Sequence, residues 1–399
     1  MKKYGTLIVV FGLLMTTIIS CDEDPVPNPE VQFSYSSDFA SNLFKAVINS
    51  EPSDKNVVVS PLSISTVVKM ILAGSEGETA EEILNVYGDG ATKENLLKES
   101  RSMNNWLESR TGSSVINLGN SFFYDKNRFH PLSSYKDILT SDFDAEEKAI
   151  DFLDNDKALS EINGWVNTET KTRIPKILDD IRPDEVMFLI NALYLKADWK
   201  QPFDSVSTRP HEFKLDDAGK TTMVDMMYQD NGFNIFKDEL STAIELPYAD
   251  EDMSMYFIKS NKGNLDEVIS DFNQDKLMEI QANMKRSRVE LYIPKFKIEY
   301  EKKDVQNALS ALGIKSAFGS GANLNGMAEE KNIAISRVVH KTFLMIDEKG
   351  TEGAAVTAGG VVLTSMPPQE KFDSPFIIVL AEKNSNKMLF MGRISNPNQ

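Results

Sequence analysis

The sequence predicts an α+β protein, and three observations lead there. Apolar residues at helical spacing occupy much of the first half, whereas strand-like runs dominate the second. Helices first and strands later is not the βαβ alternation that a parallel α/β sheet requires. No internal repeat is present and no long linker follows residue 30, so one mature domain accounts for the rest.

Phe39, Ala40, Leu43, Phe44, Val47 and Ile48 recur at the steps of a buried helix face. Val57, Val58 and Val59 read as a short strand, and Pro61 then opens a helix expected to end near Gly74. Thr79 and Glu82 have capping-box spacing and predict the start of a further helix. Runs at 186–195, 253–258, 289–298, 336–347, 375–381 and 388–391 read as strands.

The chain has 399 residues and a formal net charge of −17. A prior of roughly 150 residues per domain allows two or three domains, and single domains can be longer. The acidic balance argues against nucleic acid and against a heparin-like polyanion, both of which need Lys and Arg. Lys285, Arg286 and Arg288 form a local basic run, read here as a solvated face.

At the N-terminus, Lys2 and Lys3 precede an apolar run at 7–19, too short for a comfortable transmembrane helix. Ile18, Ile19 and Ser20 then lead into Cys21, which resembles a bacterial lipobox with lipid attached to the cysteine sulfur. Cys21 is the only cysteine, so an intrachain disulfide and a cysteine-built metal cluster are excluded. The acidic, Pro-rich stretch that follows reads as an extended tether. The expected organisation is a lipoprotein signal peptide at 1–20, a lipid-anchored tether at 21–32 and a single domain at 33–399. Such a protein is exported and anchored to, rather than spanning, a membrane of the cell envelope. The acidic residues Asp22, Glu23 and Asp24 resemble surface-export signals of some lipoproteins.

No enzyme signature emerges. His130, His211 and His340 show no helical metal-ligand spacing. A G-x-S-x-G elbow and a phosphate-binding loop are absent, and the glycine cluster at Gly319 lacks dinucleotide spacing. Carboxylates are plentiful, but nothing singles out a catalytic pair. No catalytic residue, metal or other cofactor is expected.

The segment from Asp347 to Phe372 is unusual in so charged a chain. No charge occurs between Glu352 and Glu370; small residues lead, Val361, Val362, Leu363 and Thr364 follow, and Pro367 and Pro368 close it. This segment sits among several motifs in order: NVVVSPLSIS from Asn56, INGWV from Ile162, KTRIPKIL from Lys171, NALYLKADW from Asn191, RVVHKTFLMIDEKGTEGAA from Arg337, FDSPFIIVL from Phe372 and LFMGRISNP from Leu389. Together they resemble the serpin family over essentially the whole mature domain.

The resemblance implies a metastable fold of three β-sheets and about nine helices with an exposed reactive-centre loop at about 348–368. Glu348, Gly350, Thr351, Glu352, Gly353, Ala354, Ala355, Val356 and Thr357 match the hinge of that loop. Alignment places the reactive bond between Thr364 and Ser365, with Val362, Leu363 and Met366 as alternative bait residues. Ser60, Ser63, Asn191 and His340 match the family's shutter, and Trp199 matches its breach.

Strand alternation agrees with the hinge assignment. If Thr351 points inward, so do Gly353, Ala355 and Thr357, while Glu352 faces solvent. Small inward residues can enter a sheet already packed on a core; a charged one could not. Gly353 stands where Ala is more usual and costs slightly more backbone ordering. Each new strand hydrogen bond contributes on the order of 1 kcal/mol. Over about a dozen inserted residues, with new apolar burial, the gain can exceed a typical domain's whole stability. Loop insertion itself is known serpin behaviour, a case of strand addition and of conformational switching.

The implied activity is irreversible suicide-substrate inhibition. A protease attacks the Thr364 carbonyl and is acylated, the hinge inserts, and the distorted enzyme cannot deacylate. Thr364 leaves an Arg/Lys-specific acidic pocket unpaired. Elastase-like or subtilisin-like serine proteases fit the bait better, and papain-like cysteine proteases stay open. The expected partners are target proteases in covalent complexes and a lipid membrane through Cys21, with the protein itself a monomer. The alternative is a non-inhibitory serpin acting as a surface binding module.

Overall fold

The computed structural model describes residues 38–110, 112, 114–216, 218–351 and 367–399. Among them are nine α-helices. The first is α1 (Phe39–Asn49), which buries Phe39, Leu43, Phe44, Val47 and Ile48 as its spacing demands. Next is α2 (Pro61–Gly74), whose N-cap Ser60 accepts a hydrogen bond from the Ser63 N–H while Pro61 fills the first helical position. Every residue of α2 is buried, so this helix lies inside the molecule rather than on it. The others are α3 (Gly77–Asn85), α4 (Lys93–Ser109), α5 (Ser133–Phe143), α6 (Asn155–Glu169), α7 (Leu265–Asp271), α8 (Gln274–Asn283) and α9 (Val305–Leu312).

The strands are β1 (Val57–Val59), β2 (Val115–Asp125), β3 (Ala145–Ile150), β4 (Met187–Asp198), β5 (Arg209–Lys214), β6 (Thr221–Lys237), β7 (Ser241–Pro247), β8 (Met253–Ser260), β9 (Lys285–Pro294), β10 (Phe296–Lys302), β11 (His340–Ile346), β12 (Gly350–Thr351), β13 (Gln369–Lys371), β14 (Phe376–Glu382) and β15 (Met388–Ile394). One sheet has six strands in the order β10-β11-β12-β4-β2-β3. The other has nine, ordered β1-β15-β14-β8-β7-β6-β9-β13, with β5 also on β6. It is two sheets joined by one long strand. Met226 of β6 pairs with both Arg209 of β5 and Pro294 of β9, and Ile235 pairs with both Ile244 of β7 and Lys285 of β9. One edge of β6 therefore runs along β9, while β5 and β7 share the other. Counted this way the molecule has the three sheets that the sequence resemblance implies.

Two apolar cores enclose the six-stranded sheet. On one face Phe188, Ile190 and Ala192 of β4 pack with Ile162 and Val166 of α6 and with Ile174, Ile177 and Ile181 beyond it. On the other, Leu344 and Ile346 of β11 join the main core with α2 and β14. This alternation along strands is the expected period of two.

Three local expectations need correction. The run 336–347 becomes a strand only from His340, since residues 336–339 lead in without a ladder. The run 289–298 divides at Lys295, whose N–H turns away to the Asp225 carbonyl. Thr79 and Glu82 do not form a capping box. α3 starts at Gly77, and the Thr79 hydroxyl instead accepts from the Asn323 N–H while Glu82 takes the N–H groups of Lys315 and Ser316. The pair pins a distant loop. Lys285, Arg286 and Arg288 lie exposed on β9, Arg288 forked onto Asp230 at 2.9 and 2.8 Å.

Candidate functional site

After β11 ends at Ile346 the chain reverses at once. The Asp347 carboxylate accepts from the N–H groups of Lys349 (2.9 Å) and Gly350 (3.3 Å), a side chain folding back on its own turn. β12 then runs antiparallel between β11 and β4, with Thr351 opposite Ile346 on one side and Ala197 on the other. Gly350 lies so close to β4 that a Cβ there would stand 2.0 Å from the Ala197 carbonyl oxygen. Only glycine fits. Below Thr351, no hydrogen-bonded ladder joins β11 directly to β4 among the described residues. The result is a slot closed at its top by two residues of the hinge.

The closure is held by groups from three directions. The Trp199 ring N–H donates to the Asp347 carbonyl at 3.0 Å, and its backbone N–H donates to the Lys349 carbonyl at 2.6 Å. The Phe203 N–H reaches the Glu348 carbonyl at 2.6 Å. Trp199 stacks on Tyr248 with centroids 4.7 Å apart, and the Tyr248 hydroxyl bonds the Thr351 hydroxyl at 2.7 Å. Thr351 is only 2% exposed, so its side chain points into the core, as the alternation argument requires. Burial pushes the Tyr248 phenol well up, keeping it protonated. The buried Glu348 carboxylate receives Lys295 at 2.9 Å and Thr208 at 2.8 Å. Burial works against its charge, but these bonds outweigh it and hold the carboxyl below its ordinary value.

At the far end of β11, the Ser60 N–H donates to His340 Nε2 at 3.0 Å, and the Ser60 hydroxyl donates to the Leu389 carbonyl at 2.8 Å. His340 is buried, and burial lowers its pKa to about 4, so the ring is neutral with its proton on Nδ1. Asn191 of β4 bonds Asn120 of β2 at 2.7 Å. Its Oδ1 is buried without a hydrogen-bond partner among the described residues, a state that costs roughly 1–3 kcal/mol. A cavity of about 100 Å³ lies between the start of β4 and the lead-in to β11, lined by Ser63, Phe188, Asn191, Val338 and His340 among others.

The structure thus brings Trp199, Glu348, Gly350 and Thr351 together at one end of the slot. Ser60, Ser63 and His340 form a bonded group at the other, where Asn191 shares the cavity wall but bonds Asn120 instead. Glu352, Gly353, Ala354, Ala355, Val356, Thr357, Val362, Leu363, Thr364, Ser365, Met366 and Cys21 lie outside the described residues. Sequence reasoning missed Tyr248, Lys295, Thr208 and Asn120. Each reaches the site through contacts between segments distant in sequence, which no local pattern around it reveals.

The fold and the site define a class of protein built on a long, interrupted sheet whose gap is capped by the start of a loop. Known proteins agree on the class. The family model described as serpin (serine protease inhibitor) matches residues 34–397. The chain belongs to the serpin family. It is 33% identical over 373 residues to the leukocyte elastase inhibitor of Sus scrofa, covering 90% of this chain and 97% of that protein. Among solved structures, human thyroxine-binding globulin matches with a TM-score of 0.82 at 28% identity, covering 91% of this chain and 97% of that one. The native thermophilic serpin tengpin matches with a TM-score of 0.81 at 28% identity, covering 90% and 92%.

Proposed function

We propose that this protein is an irreversible suicide-substrate inhibitor of proteases, with elastase-like or subtilisin-like serine proteases as its first candidates and papain-like cysteine proteases next. The observation that carries the reading is the slot: β12 already stands between β11 and β4, and nothing pairs those strands below it among the described residues. A loop continuing from Thr351 has its next hydrogen-bonding partners in place. Acylation at the Thr364 carbonyl would free that loop to run down the slot, carrying the enzyme with it. The similarity to a leukocyte elastase inhibitor and the small β-branched Thr364 both favour an elastase-like pocket. The protein contributes no catalytic group; strand addition supplies the driving force.

We further infer from the sequence that a lipid on Cys21 and the tether to residue 32 anchor the 33–399 domain at the cell envelope, where it acts as a monomer. The deciding experiment incubates the mature protein with a panel of serine and cysteine proteases. Inhibition gives a denaturant-resistant covalent band and a released peptide starting at Ser365. Clean cleavage without a complex across the panel would identify a non-inhibitory binding protein instead.

A further inference from the structure

The lower end of the slot has its own closure. The segment leading into β4 is gripped by two arginines from opposite sides. Arg128, three residues past β2, donates to the carbonyls of Pro183 (2.6 Å) and Glu185 (2.9 Å) and pairs with Asp125 at 2.6 Å. β2 is a direct neighbour of β4, so these bonds stay on one side of the slot. Arg337, three residues before β11, reaches across from the other side. Its Nη2 donates to Glu185 Oε2 at 2.9 Å and its Nε lies 2.7 Å from Oε1 without a hydrogen bond, while the Ser336 hydroxyl donates to Oε1 at 3.0 Å and the Arg182 N–H to Oε2 at 2.8 Å. The Glu185 side chain is 1% exposed and that of Arg337 is 10%.

Among the described residues two other ion pairs span the same boundary, and both are weaker. Arg337 also meets Asp180 at 2.9 Å, but Asp180 is 61% exposed. Lys303 meets Asp179 with both partners largely in solvent. Exposed pairs contribute little, whereas parting a buried pair removes from each charge its opposite in a dry site. Glu185, Ser336 and Arg337 also line the cavity between the two strands, with the guanidinium 5.8 Å from the Phe188 ring centroid. The pair therefore stands in the wall of the space that a new strand would fill.

We propose that Glu185 and Arg337 are positioning residues that close the lower end of the slot, and that strand insertion is completed only when their pair is parted. The proposal rests on the insertion reading above. It makes the lower closure a resistance met late, after the top has already opened, and so a determinant of how far a loop travels before its ester is hydrolysed.

The test needs no protease. Amide hydrogen exchange is measured by mass spectrometry on the full uncleaved chain. Glu185→Gln keeps the side-chain shape and removes its charge. Amides in 187–191 and 340–343 should then exchange at least roughly tenfold faster, with β14 and β15 unchanged. Arg337→Lys keeps the charge but loses the planar guanidinium, and should give a smaller rise at the same amides. Asp180→Asn should give none. A pair that only adds global stability would raise exchange in β14 and β15 as well; that result, or no change at the strand ends, overturns the proposal. If Glu185→Gln does not fold, Arg337→Lys carries the same comparison. A protein that shows the local pattern but traps no protease retains the closure and loses the inhibitor reading. One that traps proteases without the local pattern does the reverse.

Discussion

Under the proposed mechanism, Thr351 is where one side chain decides between two fates of the loop. Its hydroxyl meets Tyr248 in the core and its backbone is already paired on both sides. Thr351→Arg would set a cation against that core, at a cost of several kcal/mol. The hinge should leave the slot and the loop remain cuttable, so that gel densitometry shows cleaved protein replacing covalent complex; equal trapping by the variant would contradict the inward register. His340 acts at the same scale through protonation. Its folded pKa of about 4 lies below the ordinary 6.5, so as pH falls from 6.5 the unfolded chain takes up a proton that the buried ring refuses. Stability is lost between pH 6.5 and about 4 and is then constant, in all roughly 3 kcal/mol. Urea midpoints of wild type and His340→Gln across that window should diverge by this amount, the wild type falling more. Glu348 is held below its ordinary 4.5, and its contribution fades only as pH falls from 4.5 through its depressed value.

At the scale of elements, α4 hangs on charge as much as on its apolar face. Leu96, Met103 and Trp106 are buried, but Glu99 sits between Lys69 of α2 (2.8 Å) and Lys387 just before β15. Glu99→Gln should cost about 3–5 kcal/mol because buried Lys69 and half-buried Lys387 lose their shared carboxylate. Thermal denaturation measures it, and a loss below 1 kcal/mol would show that the site rehydrates. None of this was legible beforehand: Lys69 lies in a run whose neighbours are all apolar, and nothing in it reveals a partner thirty residues on. What was legible had local causes. The Ser60-Pro61 cap, the α1 stripe and the inward parity of Thr351 are written in adjacent residues. Thr79 and Glu82 misled because capping-box spacing is equally compatible with side chains serving a remote loop. Where β11 begins depends on β10 beside it, whose pairing ends opposite His340.

For the whole molecule, the proposed insertion would give the described arrangement a better-paired alternative. Wild-type protein cleaved in the loop should gain thermal stability substantially, because a full strand adds hydrogen bonds of about 1 kcal/mol each and gives buried groups such as Asn191 Oδ1 access to a donor. Cleaved Thr351→Arg should gain less. Scanning calorimetry before and after limited proteolysis measures both, and an unchanged melting temperature in the wild type would exclude insertion.

The pairing of Thr351 with Ala197 and Ile346 also sets a phase. Continuing both ladders one residue at a time would bring Thr357 opposite Asn191 on one side and His340 on the other. Met187, where β4 begins, would face Val361, leaving Thr364 past the end of that strand. Adding one alanine after Thr351 would turn Glu352 inward and Thr357 outward, whereas adding two would return Glu352 to solvent and move the reactive bond only about 7 Å further along the strand. Trapping of protease should therefore depend on whether the loop is lengthened by an odd or an even number. A single-alanine variant should behave as a substrate, and the two-alanine variant should form covalent complex again.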